Sequence, residues 1–557
     1  MKTEKRIGWL MLVMGSLLAW PGVSFGQDPG AISGAEDRQR ETIRDNYRIL
    51  KQIDQGRNPF EGMRISSPQK PPVDLDSKSD VKNLRISRIV FDPVPRALTA
   101  AELKELTSPF EGKEASLRDL YRLTIAIDAL YDRKGIVGRA VLPVQEVKDG
   151  IVRIQVVEAV VGDITTASSR PLRSWYVRKT LGMDPGELLN LSRLEERVIR
   201  YNRLNDAQAS VELAPGKKPG QSDLQLRLVD PPLVSGGVYS DNAGRDTTGE
   251  LRAGAFVRLN NPLGINDSLF VSQDFTEGSE STIAQLRLPV TPWGTMFHVG
   301  FDYNTYKIID GPFEVLEITG RSRGWELGLS QPVWAGRNGV VNLFGNIGKK
   351  ESWSWFDGVQ QFYEDIQTYS LGLDLLRQDK HGIWYGSQSV GVGEDQANDL
   401  DNFMMFRGNL ARVQWLDENW TVVARGSWQY TPDDSIPSSQ QFQIGGVASV
   451  RGFEEGLVSG ENGYAVSLEL KRALWRREGG KLLEGLVFLD HGGVFVDKHA
   501  AAVDGHTSLT SAGIGLNAAW GRHVSGRIAF GVPLEKGDYA DDISDSGRIH
   551  FSVQISF

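Results

Sequence analysis

The final nine residues alternate strictly: Ile549, Phe551, Val553, Ile555 and the terminal Phe557 are apolar, and the residues between them are small or polar. A period of two places alternate side chains on opposite faces of a strand, one buried in an apolar medium and one wet. The pattern recurs upstream. Leu251, Ala253, Ala255, Val257 and Leu259 alternate with Arg252, Gly254, Phe256 and Arg258. Phe297, Val299, Phe301 and Tyr303 alternate with His298, Gly300, Asp302 and Asn304, and Tyr464, Val466, Leu468 and Leu470 with Ala465, Ser467, Glu469 and Lys471. A soluble sandwich gives the same alternation. Here, however, the polar faces carry charges and glycines, and the region after Pro231-Pro232 holds eleven of the fourteen tryptophans. An apolar band facing outward, aromatic girdles and a polar interior are the signature of a transmembrane barrel. No segment reaches the ~20 apolar residues that a spanning helix needs, so membrane residence must come from strands. The 325 residues from Leu233 onward leave room, at ~10 residues per strand plus turns, for roughly sixteen antiparallel strands. Such a sheet must close, because bare edge amides in lipid cost several kcal/mol each.

The N-terminus reads as a secretory signal peptide over 1–26: a basic start (Lys2, Lys5, Arg6), an apolar core from Trp9 to Trp20, a break at Pro21-Gly22, and small residues at Ser24 and Gly26. Over 27–57, Ser33-Gly34-Ala35-Glu36 forms a capping box. The helix expected to follow, to about Gln55, has only a thin apolar stripe (Ile43, Tyr47, Leu50, Ile53). A helix polar nearly all round is solvated or sits in a polar cavity. Residues 58–83 are Pro-rich and polar, the composition of a linker. A chain of 557 residues without a single cysteine suits passage through an oxidising compartment. A net charge of -9 with no basic cluster argues against nucleic acid as a partner.

Between linker and barrel the chain repeats itself. Leu84 to Val90 reads as a strand, Thr99 to Leu106 and Ser116 to Tyr131 as helices, and Arg139 to Val147 and Ile151 to Ala159 as strands. A shift of 74 positions carries Leu117, Leu120, Ile127 and Leu130 onto Leu191, Leu194, Tyr201 and Leu204, with Asn190 at the N-cap position of Ser116. Strands at Ala209 to Leu213 and Asp223 to Val229 close the second unit. The expectation is two small α+β domains, at 84–159 and 160–231, whose strand edges suit capture of an extended chain.

Ser449-Val450-Arg451-Gly452-Phe453-Glu454-Glu455-Gly456 stands apart from this alternation, late in the 232–557 barrel and within a long loop near 443–462 that begins after a strand ending near Phe442. Here the chain resembles the outer-membrane transporters of two-partner secretion (TpsB type), within the POTRA-barrel superfamily. Val450-Arg451-Gly452-Phe453 matches the signature at the tip of that superfamily's sixth extracellular loop, which folds back into the lumen. Phe488-Leu489-Asp490 matches its F-x-D motif, whose aspartate pairs with the loop arginine in relatives. Parity agrees independently, since Leu486, Phe488 and Asp490 share a face and a charge there belongs in the lumen. The resemblance covers essentially the whole mature chain and implies a pore-plugging N-terminal helix, two periplasmic POTRA domains and a sixteen-stranded barrel in a Gram-negative outer membrane. It also implies that Phe551, Val553, Ile555 and Phe557 form a C-terminal assembly signal. A loop in a wet pore is expected to lack an apolar core, so a guanidinium on a carboxylate would supply its tether. Gly452 would allow close approach to the wall.

Catalysis finds no support: phosphate-loop, zinc-protease and nucleophile-elbow motifs are missing, there is no cysteine, and the seven histidines are widely spaced in the barrel. No cofactor or metal is expected. Asn266-Asp267-Ser268 fits a glycosylation pattern but reads as a turn. The reading is a secretion pore. Its partner, by the resemblance, is a large exoprotein with an N-terminal secretion domain: a filamentous adhesin, a haemolysin or a contact-dependent toxin. Outer-membrane lipid and the barrel assembly machinery are its other partners. Two alternatives are a barrel-assembly insertase, which carries more periplasmic repeats and lacks the leading helix, and a passive porin, which needs no repeats at all.

Overall fold

Alternation and capping signals are realised in the computed structural model, which describes residues 84–557 except 169–173, 312, 398–399, 478–479, 496–504, 522 and 538–545. The expected signal peptide, plug helix and linker lie outside the described residues. The remainder falls into two units that divide at Asp230/Pro231.

The first unit holds both α+β modules. In the first, β1 (Leu84–Ile86) pairs with β3 (Lys113–Ala115), while β2 (Arg88–Phe91), β5 (Ile151–Glu158) and β4 (Gly138–Val141) form a mixed sheet, with β2 parallel to the central β5. Helices α1 (Ala100–Thr107) and α2 (Leu117–Arg133) lie between them in sequence. Thr99 with Glu102 and Ser116 with Asp119 close reciprocal capping boxes, which satisfy amides that the first turns leave orphaned. Two strands differ from expectation. The first breaks at Ser87, whose N–H donates to the Gly150 carbonyl at 2.8 Å instead of continuing one ladder. The strand from Arg139 stops at Val141, two residues before Pro143, which has no N–H to donate.

The second module repeats the plan: β6 (Val160–Ser168) is parallel to β8 (Gln221–Val229), β7 (Gln208–Pro215) antiparallel to it, with α3 (Ser174–Leu181) and α4 (Leu191–Leu204) between. The 74-residue offset is an offset of cores, because Leu120, Leu194, Ile127 and Tyr201 are all buried. Backbone bonds tie the modules together, among them Val137 N–H to the Leu189 carbonyl (3.0 Å) and Leu189 N–H to the Ala159 carbonyl (2.8 Å).

The second unit is a closed barrel of sixteen strands. They are β9 (Val234–Asp241), β10 (Arg252–Asn260), β11 (Ser268–Phe275), β12 (Ser279–Pro289), β13 (Met296–Lys307), β14 (Thr319–Gly336), β15 (Gly339–Phe356), β16 (Val359–Asp379), β17 (Gly382–Asp395), β18 (Leu400–Trp415) and β19 (Trp420–Tyr430). After a short hairpin, β20 (Phe442–Ile444) with β21 (Val458–Gly460), come β22 (Asn462–Arg477), β23 (Lys481–Phe495), β24 (His506–Trp520), β25 (Val524–Glu535) and β26 (Arg548–Ser556). All neighbours are antiparallel, and β26 closes onto β9. Leu329, Leu371, Val466, Leu468, Ile514, Val553 and Ile555 face outward and exposed, whereas Asp274, Asn304, Asp374, Glu469 and Asp490 face inward and are buried. Asn266, with φ +70°, sits in the turn before β11, where the Asp267 carboxylate accepts the Leu263 N–H. Among the described residues no helix is long and apolar enough to cross a membrane.

The closing seam is the shortest lateral contact of the barrel. Five residue pairs join β26 to β9, against eight between β9 and β10. Beyond the ladder, the side-chain amide of Asn242 bridges to β26, donating to the Ile549 carbonyl and accepting the Phe551 N–H, both at 2.8 Å.

Candidate functional site

The connection between β19 and β22 spans residues 431–461 and is the sixth at its end of the barrel. It starts earlier than the sequence suggested, and Phe442 belongs to the inserted hairpin rather than to a barrel strand. Pro432 and Pro437 explain the early exit, since neither can donate to a ladder. At the tip, Gly445 and Gly446 take positive φ, and the Ser449 hydroxyl accepts the Gly445 N–H at 2.8 Å.

The tip meets the wall through Arg451, which is 1% exposed. Its Nε and Nη2 donate to Asp490 Oδ2 (2.7 Å) and Oδ1 (2.8 Å), a bidentate fork, and its backbone N–H adds a third bond to Oδ2 at 3.2 Å. Nη1 donates to Glu469 Oε1 at 2.6 Å and Nη2 also to Ser467 Oγ at 3.1 Å. The guanidinium carbon lies 3.6 Å from the centre of the Phe488 ring, so that ring forms the floor of the socket. The structure thus brings Arg451, Phe488 and Asp490 together.

Gly452 makes the closest approach. Its φ is +90°, its N–H donates to His550 Nε2 at 3.0 Å, and a Cβ added there would lie 2.8 Å from the Gly531 carbonyl carbon. The wall reciprocates, since a Cβ on Gly531 would lie 2.7 Å from Gly452 N. Backbone packs on backbone only because both residues lack side chains.

One expectation is overturned. The tip does have an apolar core: Val450 and Phe453 are buried with Ile444 and Val458 against Ala465, Val494 and Leu509 of the wall. The small and apolar lumen-facing residues of β22 to β24 at that level leave a dry patch in an otherwise polar interior. The alternation pattern records only which face a residue occupies, and so does not show the patch.

Glu469 is the residue that sequence reasoning missed. Besides Arg451 it accepts from Arg425 Nη2 (2.9 Å) and Arg527 Nη2 (2.8 Å), and Lys471 Nζ lies 3.1 Å from its other oxygen. With Glu484 and Asp490, three buried carboxylates stand among four cations, near balance in a region that excludes water. Parity had placed Glu469 and Lys471 in the lumen. What assembles the cluster is register across β19 to β25, and one strand's sequence does not contain it. His550, on the inner face of the last strand, was missed for the same reason. Phe551, Val553, Ile555 and Phe557 lie on the opposite face, with Val553, Ile555 and Phe557 exposed.

Beside the tip the lumen holds a cavity of about 440 Å³, lined by Gln285, Asp302, Glu326, Asn346, Ser389 and Arg407 together with Gln441 and Gln443 of the loop. Its wall also carries apolar side chains such as Ile283, Phe344 and Met405, and its size suits a small molecule, far below a folded domain.

Residues 220–518 match the family described as haemolysin secretion/activation protein ShlB/FhaC/HecB, and residues 84–159 match the ShlB-type POTRA domain. Outer membrane transporter CdiB of Escherichia coli O6:K15:H31 is 25% identical, over 95% of this chain and 90% of that one. The heme/hemopexin transporter protein HuxB of Haemophilus influenzae (strain 86-028NP) is 24% identical, over 86% of this chain and 89% of that one. Among solved structures, CdiB from Escherichia coli superposes with a TM-score of 0.71 at 22% identity, covering 96% of this chain and all of that one.

Proposed function

Because the chain belongs to the ShlB/FhaC/HecB family of haemolysin secretion/activation proteins, a family of outer-membrane two-partner transporters rather than enzymes, we propose the following division of labour among its parts. The protein carries a large exoprotein across the outer membrane. The POTRA domains, periplasmic in this family, receive the exoprotein's N-terminal secretion domain, and the cargo is a filamentous adhesin, a haemolysin or a contact-dependent toxin. Segment 27–57 plugs the lumen at rest. Val450-Arg451-Gly452-Phe453 holds the sixth loop on the wall during transport, with Phe488 and Asp490 as its socket. Phe551, Val553, Ile555 and Phe557 present the last strand to the barrel assembly machinery, and the outward apolar band contacts membrane lipid.

The observation that carries this reading is a loop tip anchored by a buried arginine inside a closed barrel whose cavity is too small for a folded cargo. The exoprotein therefore crosses extended, after plug and cavity have rearranged. The chain carries no nucleotide-binding motif, so stepwise folding of a repetitive β-structure outside supplies the bias against return. The test follows export of an exoprotein's N-terminal fragment into the medium with wild-type transporter, an Arg451→Ala variant, or none. Export that requires the chain and falls with the variant at equal barrel abundance supports the proposal. If export is unaffected while assembly of other outer-membrane barrels fails, the chain is an insertase instead.

A further inference from the structure

The outer wall is not uniform around its circumference. On β13, β14 and β15, at their long-loop ends, Lys307, Arg321, Arg323 and Lys349 all point outward. The register sets them in one patch: Lys307 faces Thr319, Arg321 faces Thr305 and Trp353, and Arg323 faces Tyr303 and Glu351. Diagonal cross-strand neighbours stand ~7–8 Å apart, within reach of two long cationic side chains converging on one anion. At the corresponding ends of β22 to β25 the wall carries a different chemistry, a chain of hydrogen bonds from Tyr464 through His491 and Thr510 to Glu535.

Two of the four cations are already matched. Arg323 Nε lies 2.7 Å from Glu351 and Lys349 Nζ 3.0 Å from Asp365. Arg321 and Lys307 have no carboxylate partner among the described residues. Arg321 is instead held by indoles, its guanidinium carbon 4.8 Å from the Trp353 ring centre and 5.5 Å from that of Trp355. Trp353 is fixed in turn by stacking on Tyr363 at 5.4 Å. A guanidinium laid on aromatic faces keeps its edge N–H groups free for an oxyanion.

Depth identifies the occupant. One step along β14 from Arg323 the outward face turns apolar, with Trp325, Leu327 and Leu329 flanked by Phe301 and Ile347, all exposed. The chain enters β9 from the periplasmic POTRA side, so the first residues of β14 lie at the outer surface of the membrane. A ligand here meets hydrocarbon on one side and cations on the other.

We propose that this patch binds a phosphorylated glycolipid of the outer leaflet, with its phosphate on Arg321 and Lys307 and its acyl chains along Trp325, Leu327 and Phe301. The test uses purified full-length protein in detergent, with bound lipid counted by native mass spectrometry. The probes are diphosphorylated lipid A, the same lipid without phosphates, and its soluble phosphorylated disaccharide without acyl chains. Wild-type protein is expected to retain the phosphorylated lipid about tenfold over the dephosphorylated one, as loss of charge-assisted bonds to a phosphate implies. An Arg321→Gln/Lys307→Gln variant should lose that preference, while Arg412→Gln, at the opposite rim, should keep it. Equal retention of both lipids by wild-type protein overturns the proposal, and this comparison needs no variant. So does an unchanged preference in a double variant whose heat-modifiable migration shows a folded barrel, or full competition by the disaccharide, which would make the site one for soluble phosphate.

Discussion

Truncating Arg451 to alanine isolates the energy that docks the loop. The change removes the fork on Asp490, the contact to Glu469 and the stack on Phe488. The two carboxylates do not suffer equally. Glu469 keeps Arg425, Arg527 and Lys471, but Asp490 loses the cation that both its oxygens contact and stays fully buried. Removing one partner of a buried pair costs about 3–5 kcal/mol, chiefly the desolvation of the group left behind. That shifts the docked-to-released ratio by on the order of 10² to 10⁴. Against it stand Val450 and Phe453, whose burial contributes about 1.5–3 kcal/mol each. The two contributions are comparable, so Arg451→Ala is expected to release the loop in part and Arg451→Ala/Phe453→Ala to release it fully. The readout is protease cleavage within 431–461 on intact cells, with heat-modifiable migration confirming the barrel. Raising the salt should change little, because the pair is dry. The reasoning fails if Arg451→Ala leaves the loop as protected as in wild type, or if the double variant is cleaved no faster than Phe453→Ala alone.

Gly531→Ala should lift the tip although it alters no charge, since its Cβ would lie 2.7 Å from Gly452 N; the same cleavage assay should show it more exposed than Asp490→Asn, which keeps an acceptor for Arg451. Deleting 27–57 should enlarge ion conductance in a planar bilayer, and unchanged conductance would remove the plug assignment. Asn242→Ala should speed hydrogen exchange at Phe551 relative to Val553, because the amide it loses caps the outer end of a seam of five pairs. In the first POTRA module, hydrogen bonds from Lys134 and then Thr99 hold the Glu102 carboxyl at about 2. A depressed folded-state pKa gives stability that is present above the ordinary carboxylate pKa and lost as pH falls toward about 2. The first turn of α1 should therefore stay protected from exchange at pH 4 in wild type, and Glu102→Gln should abolish that pH dependence.

What the sequence discloses about this chain divides along a physical line. Strand faces, helix caps and the repeat are local: Ser116 beside Asp119, or Phe488 two residues from Asp490, state their geometry within one turn or one pleat. The barrel was legible because lipid imposes one rule on every strand. The socket around Glu469 was not, because its cations arrive from β19, β22, β25 and the loop, and only closure with a defined register brings them to one place. The apolar seat of Val450 and Phe453 was hidden for the same reason, and the general expectation of a wet lumen pointed the other way.

The same register gives the tip a second connection. Residues 548–551 of the last strand serve both the loop and the seam. His550 accepts the Gly452 N–H, and Arg548 reaches Asp246 at 2.7 Å, Glu250 at 2.9 Å and, in the loop, Glu454 at 3.9 Å. Ile549 and Phe551 carry the Asn242 bridge to the first strand's end. These side-chain contacts add to the five ladder pairs and to the backbone bonds that Gly236 exchanges with Phe557 in closing the barrel. A cargo that displaces the loop tip must also break the bond from Gly452 to His550 and pull Glu454 away from Arg548, and His550 and Arg548 both lie on the strand that shuts the pore. Loop docking and seam closure thus draw on one short stretch of chain, and a change that loosens either lowers the work needed to loosen the other.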